Sequence, residues 1–511
     1  NLTLGLRIDV PFFMTDLQSN DKVAAETYRD GIKIDVSKYP NAKPQFSPRF
    51  GFNYKPFDDE NGSLQIRGGT GLFTGTPPYV WISNQAGNNG VLFGDLNVRA
   101  VKDKNDNIIS DGRPSLGFTG NMDTYKPAEG SATRSDIAIT DPDFKYPSLW
   151  KSNIAADYKF GDGWVATIEL LYSKDINAIY HDNIGLYRTE QFVNDGGAGN
   201  ARPYYNGYYS DREGNQKAAN HVVMLRNTSK GHSLYTTFQL QKNFVDGILK
   251  GLYLNGSYSF GQSRGVTDGT SSVATSAWKY RAALDGNAEE VGYTAGSFDG
   301  RLLLSASYTA NWSKYAATSF GLIYQRYRPF RYSYCYNGDA NGDSQFSNDL
   351  MYIPANFDEV KDHLLPGDFD SQEDAWKAMN AFIEQDPYLS KHRGEYAERN
   401  GAVAPFANQL DLSVSHDIKI YQKNGRSHTL RFSFNIANFL NLLNRNWGVV
   451  QTTVLGNQQY QFLTIPKGQG PSAANNYTLK YTMAKDLDET FKDNLNDVSR
   501  WQMQFGIKYI F

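Results

Sequence analysis

The end of this chain alternates strictly with a period of two. From Arg500 to Phe511 one set of positions holds Trp501, Met503, Phe505, Ile507, Tyr509 and Phe511. The other set holds Arg500, Gln502, Gln504, Gly506, Lys508 and Ile510. A two-residue period is the signature of a β-strand, because successive side chains leave opposite faces. A tilted strand of about 9–11 residues crosses a bilayer. A soluble sandwich can bury such a face too, so one strand does not decide the class.

The pattern recurs along the chain. Leu2, Leu4, Leu6, Ile8 and Val10 alternate with Asn1, Thr3, Gly5, Arg7 and Asp9. Leu234, Thr236, Phe238 and Leu240 alternate with Tyr235, Thr237, Gln239 and Gln241. Leu302, Leu304, Ala306, Tyr308, Ala310 and Trp312 alternate with Arg301, Leu303, Ser305, Ser307, Thr309 and Asn311. Leu430, Phe432, Phe434 and Ile436 alternate with Arg431, Ser433, Asn435 and Ala437.

Spacing adds topology. Strand patterns near 46–54 and 63–73 flank Asp58-Asp59-Glu60-Asn61-Gly62. Those near 148–158 and 164–174 flank Gly161-Asp162-Gly163, and those near 230–243 and 250–262 flank Val245-Asp246-Gly247. Patterns near 298–312 and 317–329 flank Ser313-Lys314, and those near 407–420 and 427–438 flank Asn424-Gly425, a strong hairpin signal. Between the pairs lie long polar stretches, with large loops expected near 74–147, 186–220, 264–296 and 330–405. Structureless loops of that length are rare in compact soluble domains. Short turns alternating with long loops are the rhythm of an outer-membrane barrel, whose turns are periplasmic and whose loops are extracellular. The expected fold is therefore all-β: an antiparallel transmembrane β-barrel portion spanning 1–511. Twelve strands are counted. Four more fall in 176–228 and 446–484, either as crossing strands or as hairpins above the membrane. The polar face is expected to carry Arg7, Gln239, Arg301 and Arg431 into the lumen.

Composition agrees. Aromatics make up 14% of the chain, with 34 Tyr and 30 Phe, while hydrophobic residues are only 40%. No run of about 18 apolar residues occurs, so a transmembrane helix is excluded. Modest hydropathy does not exclude a barrel, because alternation averages it out along each strand. The net charge of −3 suggests no nucleic-acid surface. A single cysteine, Cys335, rules out an intrachain disulfide. The chain opens on Asn1-Leu2-Thr3-Leu4, already in a strand pattern and without a signal peptide; either a signal has been removed or, the favoured expectation, a larger N-terminal part precedes it.

Three loop features invite chemistry. Asp339, Asn341 and Asp343 alternate, followed by Asp349. Alternating oxygen side chains are how a loop wraps Ca²⁺, which would make calcium a structural cofactor. The EF-hand pattern has glycine sixth and an acid twelfth; here Ser344 is sixth and Asp349 eleventh. The alternative is an Asx-rich surface turn. Arg202-Pro203-Tyr204-Tyr205-Asn206-Gly207-Tyr208-Tyr209 is a tyrosine cluster in a loop. Tyr204, Tyr205, Tyr208 and Tyr209 offer rigid contact area to a peptide or glycan, or else form an interfacial girdle or pack the loop on itself. Ser371 to Gln385 carries Trp376, Met379, Phe382 and Ile383 at helical spacing, a short amphipathic helix expected to rest on the barrel rim.

Catalytic signals are missing. There is no His-Glu-x-x-His and no Gly-x-Ser-x-Gly. His181-Asp182 and His416-Asp417 are neighbours in strands and so face opposite sides. Gly68, Gly69 and Gly71 lack the third glycine of a dinucleotide fingerprint and sit inside a strand pattern, where glycine marks a bend or a close approach. The chain reads as a non-enzyme.

Several stretches resemble a known family. They are Phe46-Ser47-Pro48-Arg49-Phe50-Gly51-Phe52, Ile66-Arg67-Gly68-Gly69-Thr70-Gly71-Leu72-Phe73, and Asp339-Ala340-Asn341-Gly342-Asp343 leading to Asn348-Asp349-Leu350-Met351-Tyr352-Ile353-Pro354. Tyr388-Leu389-Ser390, Arg393-Gly394, Arg399-Asn400-Gly401 and Asn438-Phe439-Leu440-Asn441-Leu442-Leu443-Asn444 extend the likeness. Together they resemble the C-terminal barrel region of TonB-dependent outer-membrane transporters, in the Oar-like branch of Bacteroidota and myxobacteria. The resemblance implies a 22-stranded barrel closed by an N-terminal plug. The plug carries a periplasmic box that meets TonB; neither plug nor box is present in this sequence. It also implies an integral outer-membrane location and Phe511 as a signal to the barrel-assembly machinery. Substrate would bind at the outer loops and enter through the plugged lumen. A surface lipoprotein or a larger outer-membrane complex is a further candidate partner. The rival reading is a non-transporting scaffold in a secretion or assembly complex. A soluble β-rich enzyme fails on the missing motifs and on the turn-loop rhythm.

Overall fold

The computed structural model describes residues 1–60, 62–91, 101–102, 108–109, 120–121, 123, 134–197, 201–423, 426–456 and 459–511. The expected turn at Asn424-Gly425 and the Asn61 position of another lie outside these residues. Twelve strands follow one another through a single antiparallel sheet. They are β1 (Leu2–Asp9), β2 (Gln45–Asp59), β3 (Gly62–Thr74), β4 (Ser148–Phe160), β5 (Trp164–Asp175), β6 (Gly231–Asn243), β7 (Leu252–Gly265), β8 (Arg301–Ser313), β9 (Ala316–Tyr327), β10 (Ala407–Lys423), β11 (Arg426–Ala437) and β12 (Gln502–Ile510). The short piece Gly292–Tyr293 pairs with the end of β7. These are the twelve strands expected from alternation. The segments 176–228 and 446–484 do form strands, but they pair among themselves and with other connections, not with this sheet.

The register puts one side-chain face in line across all twelve strands. Tyr308, Phe320, Val414, Phe434 and Phe505 lie opposite one another from β8 to β12. Phe238 faces Ile168 on one side and Tyr258 on the other. Ile154 faces Leu170, and Leu2 faces Phe52. Directly opposed residues in an antiparallel ladder share a face, so these pairs trace one continuous apolar surface. It is not buried: Leu4 is 81% exposed and Phe505 66%. Soluble monomers rarely expose apolar patches beyond a few hundred Å². A sheet-wide patch is what a lipid-facing wall requires.

Two local devices hold this face together. A bulge between Tyr54 and Phe57 in β2 skips the register, so Phe57 opposes Leu64 and returns to the apolar side. Gly68 lies opposite Phe52 and Ile154. A Cβ there would meet the Phe52 ring at 2.8 Å and the Asn153 carbonyl at 2.7 Å. The glycine triplet is thus a close approach of neighbouring strands. At the short-turn end, Tyr158 stacks on Phe160 and Phe160 on Trp164 at 5.4 and 6.3 Å. Such aromatics suit the headgroup region.

The opposite face is polar and internally paired. Arg67 Nε donates to Asp157 at 2.9 Å, and Thr167 to the same carboxylate at 2.7 Å. Arg431 grips Asp417 with two bonds of 2.6 and 2.7 Å. Gln239 donates to Asn255 at 3.1 Å and Arg301 to Gln325 at 3.2 Å. Arg7, Gln239, Arg301 and Arg431 all fall on this face by register, as expected.

Antiparallel alternation sends all six long connections (10–44, 75–147, 176–230, 266–300, 328–406 and 438–501) to one end of the sheet. Among the described residues these connections pack together. One apolar core joins Val193 and Tyr204, Ala282, Tyr332 through Ala402, and Tyr460 through Met483, drawing on four connections. A second joins Val23, Tyr28 and Val36 with Ile137, Ile139, Ile184 and Val222. The helix Gln372–Gln385 begins where expected, with Ser371 Oγ accepting from Asp374 N at 3.1 Å. Its destination differs from the expected barrel rim. Met379, Phe382 and Ile383 are buried in the connection core, and Phe382 packs on Phe462 at 4.8 Å between centroids. The apolar face is satisfied more completely by other connections than by a rim strand whose outward side chains belong to lipid.

Candidate functional site

The sequence-singled loop groups all lie in this packed layer. The run 339–349 folds around its own carboxylates. Asp339 accepts from the backbone N–H groups of Asn341, Gly342 and Ser344 at 3.2, 2.6 and 2.8 Å. Asn341 accepts from Asp343 N at 2.9 Å, and Asp343 from Gln345 N at 2.8 Å. Asp349 accepts from Ala340 N at 2.8 Å and from Arg202 Nη1 at 3.2 Å. Among the described residues, no three acidic, histidine or cysteine side chains are already arranged to hold a metal ion. As folded, the run is a chain of Asx turns.

Its electrostatics are nevertheless unusual. Burial pushes the Asp349 carboxyl up to about 7 against the pull of Arg202, with Asp339 adding to the rise. Burial also holds Asp343 well above the usual carboxylate range, and the charges of Asp349 and Asp339 act the same way. Asp339 is raised by burial against its backbone N–H bonds.

Arg202 is the cation that the sequence reading passed over. It is fully buried, donating from Nε to Asp195 at 2.8 Å and from Nη2 to the Leu350 carbonyl. Tyr336 and Tyr396 lie 5.5 and 5.6 Å from its guanidinium carbon. Burial opposes its charge, but Asp195 and Asp349 outweigh that and hold the proton firmly. Arg202 precedes the tyrosine cluster, yet nothing in the sequence signals a partner at Asp349.

The cluster itself divides. Tyr204 and Tyr205 are 7% and 2% exposed, so they pack the layer and present no free ring to solvent. Tyr204 meets Tyr477 at 4.6 Å and Tyr205 donates to Asp285 at 2.6 Å. Tyr208 and Tyr209 are half-buried, with Tyr208 against His221 and Tyr209 against Tyr187, each at 5.2 Å. The two histidine–aspartate pairs also separate. Asp182 takes Arg29 and Arg226, whereas His181 packs edge-on against Trp81. His416 bonds Thr318 at 2.8 Å on the face opposite Asp417.

In β12, Met503, Phe505, Ile507 and Tyr509 all lie on the apolar face, with Trp501 and Phe511 flanking them. All six side chains are at least 44% exposed, as a lipid-facing terminal strand demands.

Comparison with known proteins places this architecture. A family described as an outer membrane beta barrel domain matches residues 1–471. No curated protein matches the sequence. A ferric enterobactin receptor mutant from Pseudomonas aeruginosa aligns at 8% identity and a TM-score of 0.34, covering 78% of this chain and 35% of its own. An iron transporter from Neisseria meningitidis aligns at 7% and 0.28, covering 77% of this chain and 39% of its own. The chain thus spans little more than a third of the length of these solved structures. The family match covers most of the chain and agrees with the lipid-type wall and the one-sided connections: this chain belongs to the outer-membrane β-barrel domain family and is an integral protein of the outer membrane.

Proposed function

We propose that the intact protein is a TonB-dependent outer-membrane receptor, which binds a substrate at its outer layer and admits it through a plugged lumen. The observation that carries this reading is the division of the chain. A charged, hydrogen-bonded inner face is topped by a folded layer drawn from six connections, rather than by short loops around an open pore. Such a layer holds rigid surfaces and cavities for a ligand at the lumen entrance. Likeness of several sequence stretches to Oar-like transporters supports the same reading.

The barrel's completion is part of the proposal. Among the described residues β1 pairs only with β2, and β12 only with β11. An unpaired strand edge is not tolerated in hydrocarbon, so further strands are needed to close the wall.

The test is intact mass with peptide mapping of the protein from native membranes, combined with retention on the periplasmic domain of TonB. A plug-bearing polypeptide retained by TonB is expected. A mature chain with no plug, purifying with stoichiometric partners, would overturn import and favour the scaffold reading.

A further inference from the structure

A cavity of about 330 Å³ opens in the outer layer where three connections meet. Thr267, Thr270 and Arg281 reach it from one connection, Ser333 and Arg399 from a second, and Gln459 from the third. Its two arginines are 5% and 4% exposed. Buried arginines are normally paired with carboxylates, and these are not. Arg281 donates to the carbonyls of Val266 and Ala288 at 3.3 and 3.0 Å and to that of Gly286. Arg399 donates to the carbonyls of Gly265 and Gly292. Among the described residues neither forms a salt bridge, and the buried atoms Arg281 Nε and Arg399 Nη1 meet no hydrogen-bond partner.

Nearby acids act on the two cations through their charge without bonding to them. Asp268, on the cavity wall, accepts from Ala295 N at 2.8 Å and Asn400 Nδ2 at 2.9 Å. Glu290 accepts from Leu284 N at 2.9 Å. Burial lowers Arg399 to about 10, and the charge of Arg281 acts in the same direction despite Asp268 and Glu290. Two buried guanidiniums, bonded only to carbonyl oxygens and with no direct carboxylate partner among the described residues, therefore line the cavity. Ser333 Oγ accepts from Asn400 N at 2.8 Å and Thr267 Oγ1 from Gly269 N at 3.2 Å, which leaves both hydroxyl protons free to donate.

We propose that this cavity is a binding site for an oxyanion, the carboxylate or phosphate of a small ligand, held by Arg281 and Arg399 with hydroxyl support. Guanidinium groups suit both chemistries, since their planar donor forks match carboxylate and phosphate oxygens. The site stands independently of import, because it needs only the folded outer layer.

The experiment is calorimetric titration of the full-length protein in detergent with acetate and, separately, inorganic phosphate, at constant ionic strength. Saturable binding of at least one is expected, and which one binds identifies the chemistry. Arg399→Gln should weaken that binding at least tenfold. Thr270 is exposed at the cavity, so Thr270→Asp should leave the fold intact. Its tethered carboxylate should abolish anion binding and raise the melting temperature of the anion-free protein. Absence of binding by the wild type to both anions overturns the proposal. So does undiminished binding by a folded Thr270→Asp variant.

Discussion

Leu322 lies near the middle of β9, on the apolar face between Ala306 of β8 and Leu412 of β10, and is 40% exposed. Its neighbour across the wall, Ser307 of β8, opposes Gly321 on the polar face. The two positions share a height and differ in what they face. An arginine at mid-bilayer on the lipid side of a barrel costs about 2–4 kcal/mol. That is roughly 30- to 1,000-fold in the folding equilibrium. Ser307→Arg enters a polar space, where Gly321 leaves room for it, and should cost about 0.5 kcal/mol, as a surface substitution does. The assay is reversible denaturant unfolding of the full-length protein in phospholipid vesicles, with unfolding free energies extrapolated to water. A large loss for Leu322→Arg beside a small one for Ser307→Arg is expected. Equal losses, or a larger one for Ser307→Arg, would refute the assignment of faces.

Three further outcomes follow from the outer layer. His181 is pushed down to about 4, first by burial and then by the charge of Arg281. The folded state therefore binds the proton less tightly than the unfolded state, and stability present above pH 6.5 drains as the pH falls towards 4. At about 1.4 kcal/mol per pH unit, roughly 3 kcal/mol is at stake, and His181→Phe should flatten that limb of a stability–pH curve. Phe382→Ala removes a ring buried against Phe462 and Tyr460. It should cost about 3–5 kcal/mol, seen as proteolysis within 328–406 while the barrel keeps its compact electrophoretic migration; an unchanged cleavage pattern would remove the helix from the core. Asp343→Asn relieves a buried carboxylate of two like-charged neighbours, so it should raise the melting temperature near neutral pH. Calcium in the 339–349 loop would reverse that sign and make the wild-type melting temperature sensitive to a chelator.

The wall was legible and the layer above it was not, for a physical reason. Each membrane strand is specified locally: Leu302, Leu304 and Ala306 face lipid because neighbours in sequence alternate, whatever strand lies beside them. The turn at Gly161-Asp162-Gly163 likewise declares itself within a few residues. The outer layer is specified by distant pairs. Arg202 meets Asp349, Tyr204 meets Tyr477, and Phe382 meets Phe462, and no periodicity links these positions. The helix Gln372–Gln385 shows both sides of this. Its cap at Ser371 and its apolar spacing were readable, whereas the core that receives it comes from several other connections. The connection 10–44 was missed altogether, because Val23, Tyr28, Ile34 and Val36 are scattered singly and reveal a core face only beside Ile137 and Val222. Arg281 gave no sign in sequence for the same reason, and Arg399 stood out only within a family-like stretch, without its cavity.

The central claim is that one side-chain parity faces lipid across the whole sheet while the other faces a polar interior. Single cysteines at positions 301 to 306, each carrying a spin label in protein reconstituted into vesicles, test it directly. The native Cys335 is fully buried and should stay silent. Contact with a membrane-dissolved relaxing agent should be high at 302, 304 and 306 and low at 301, 303 and 305, with the opposite order for a water-soluble agent. A reversed pattern, or no alternation, would contradict the account.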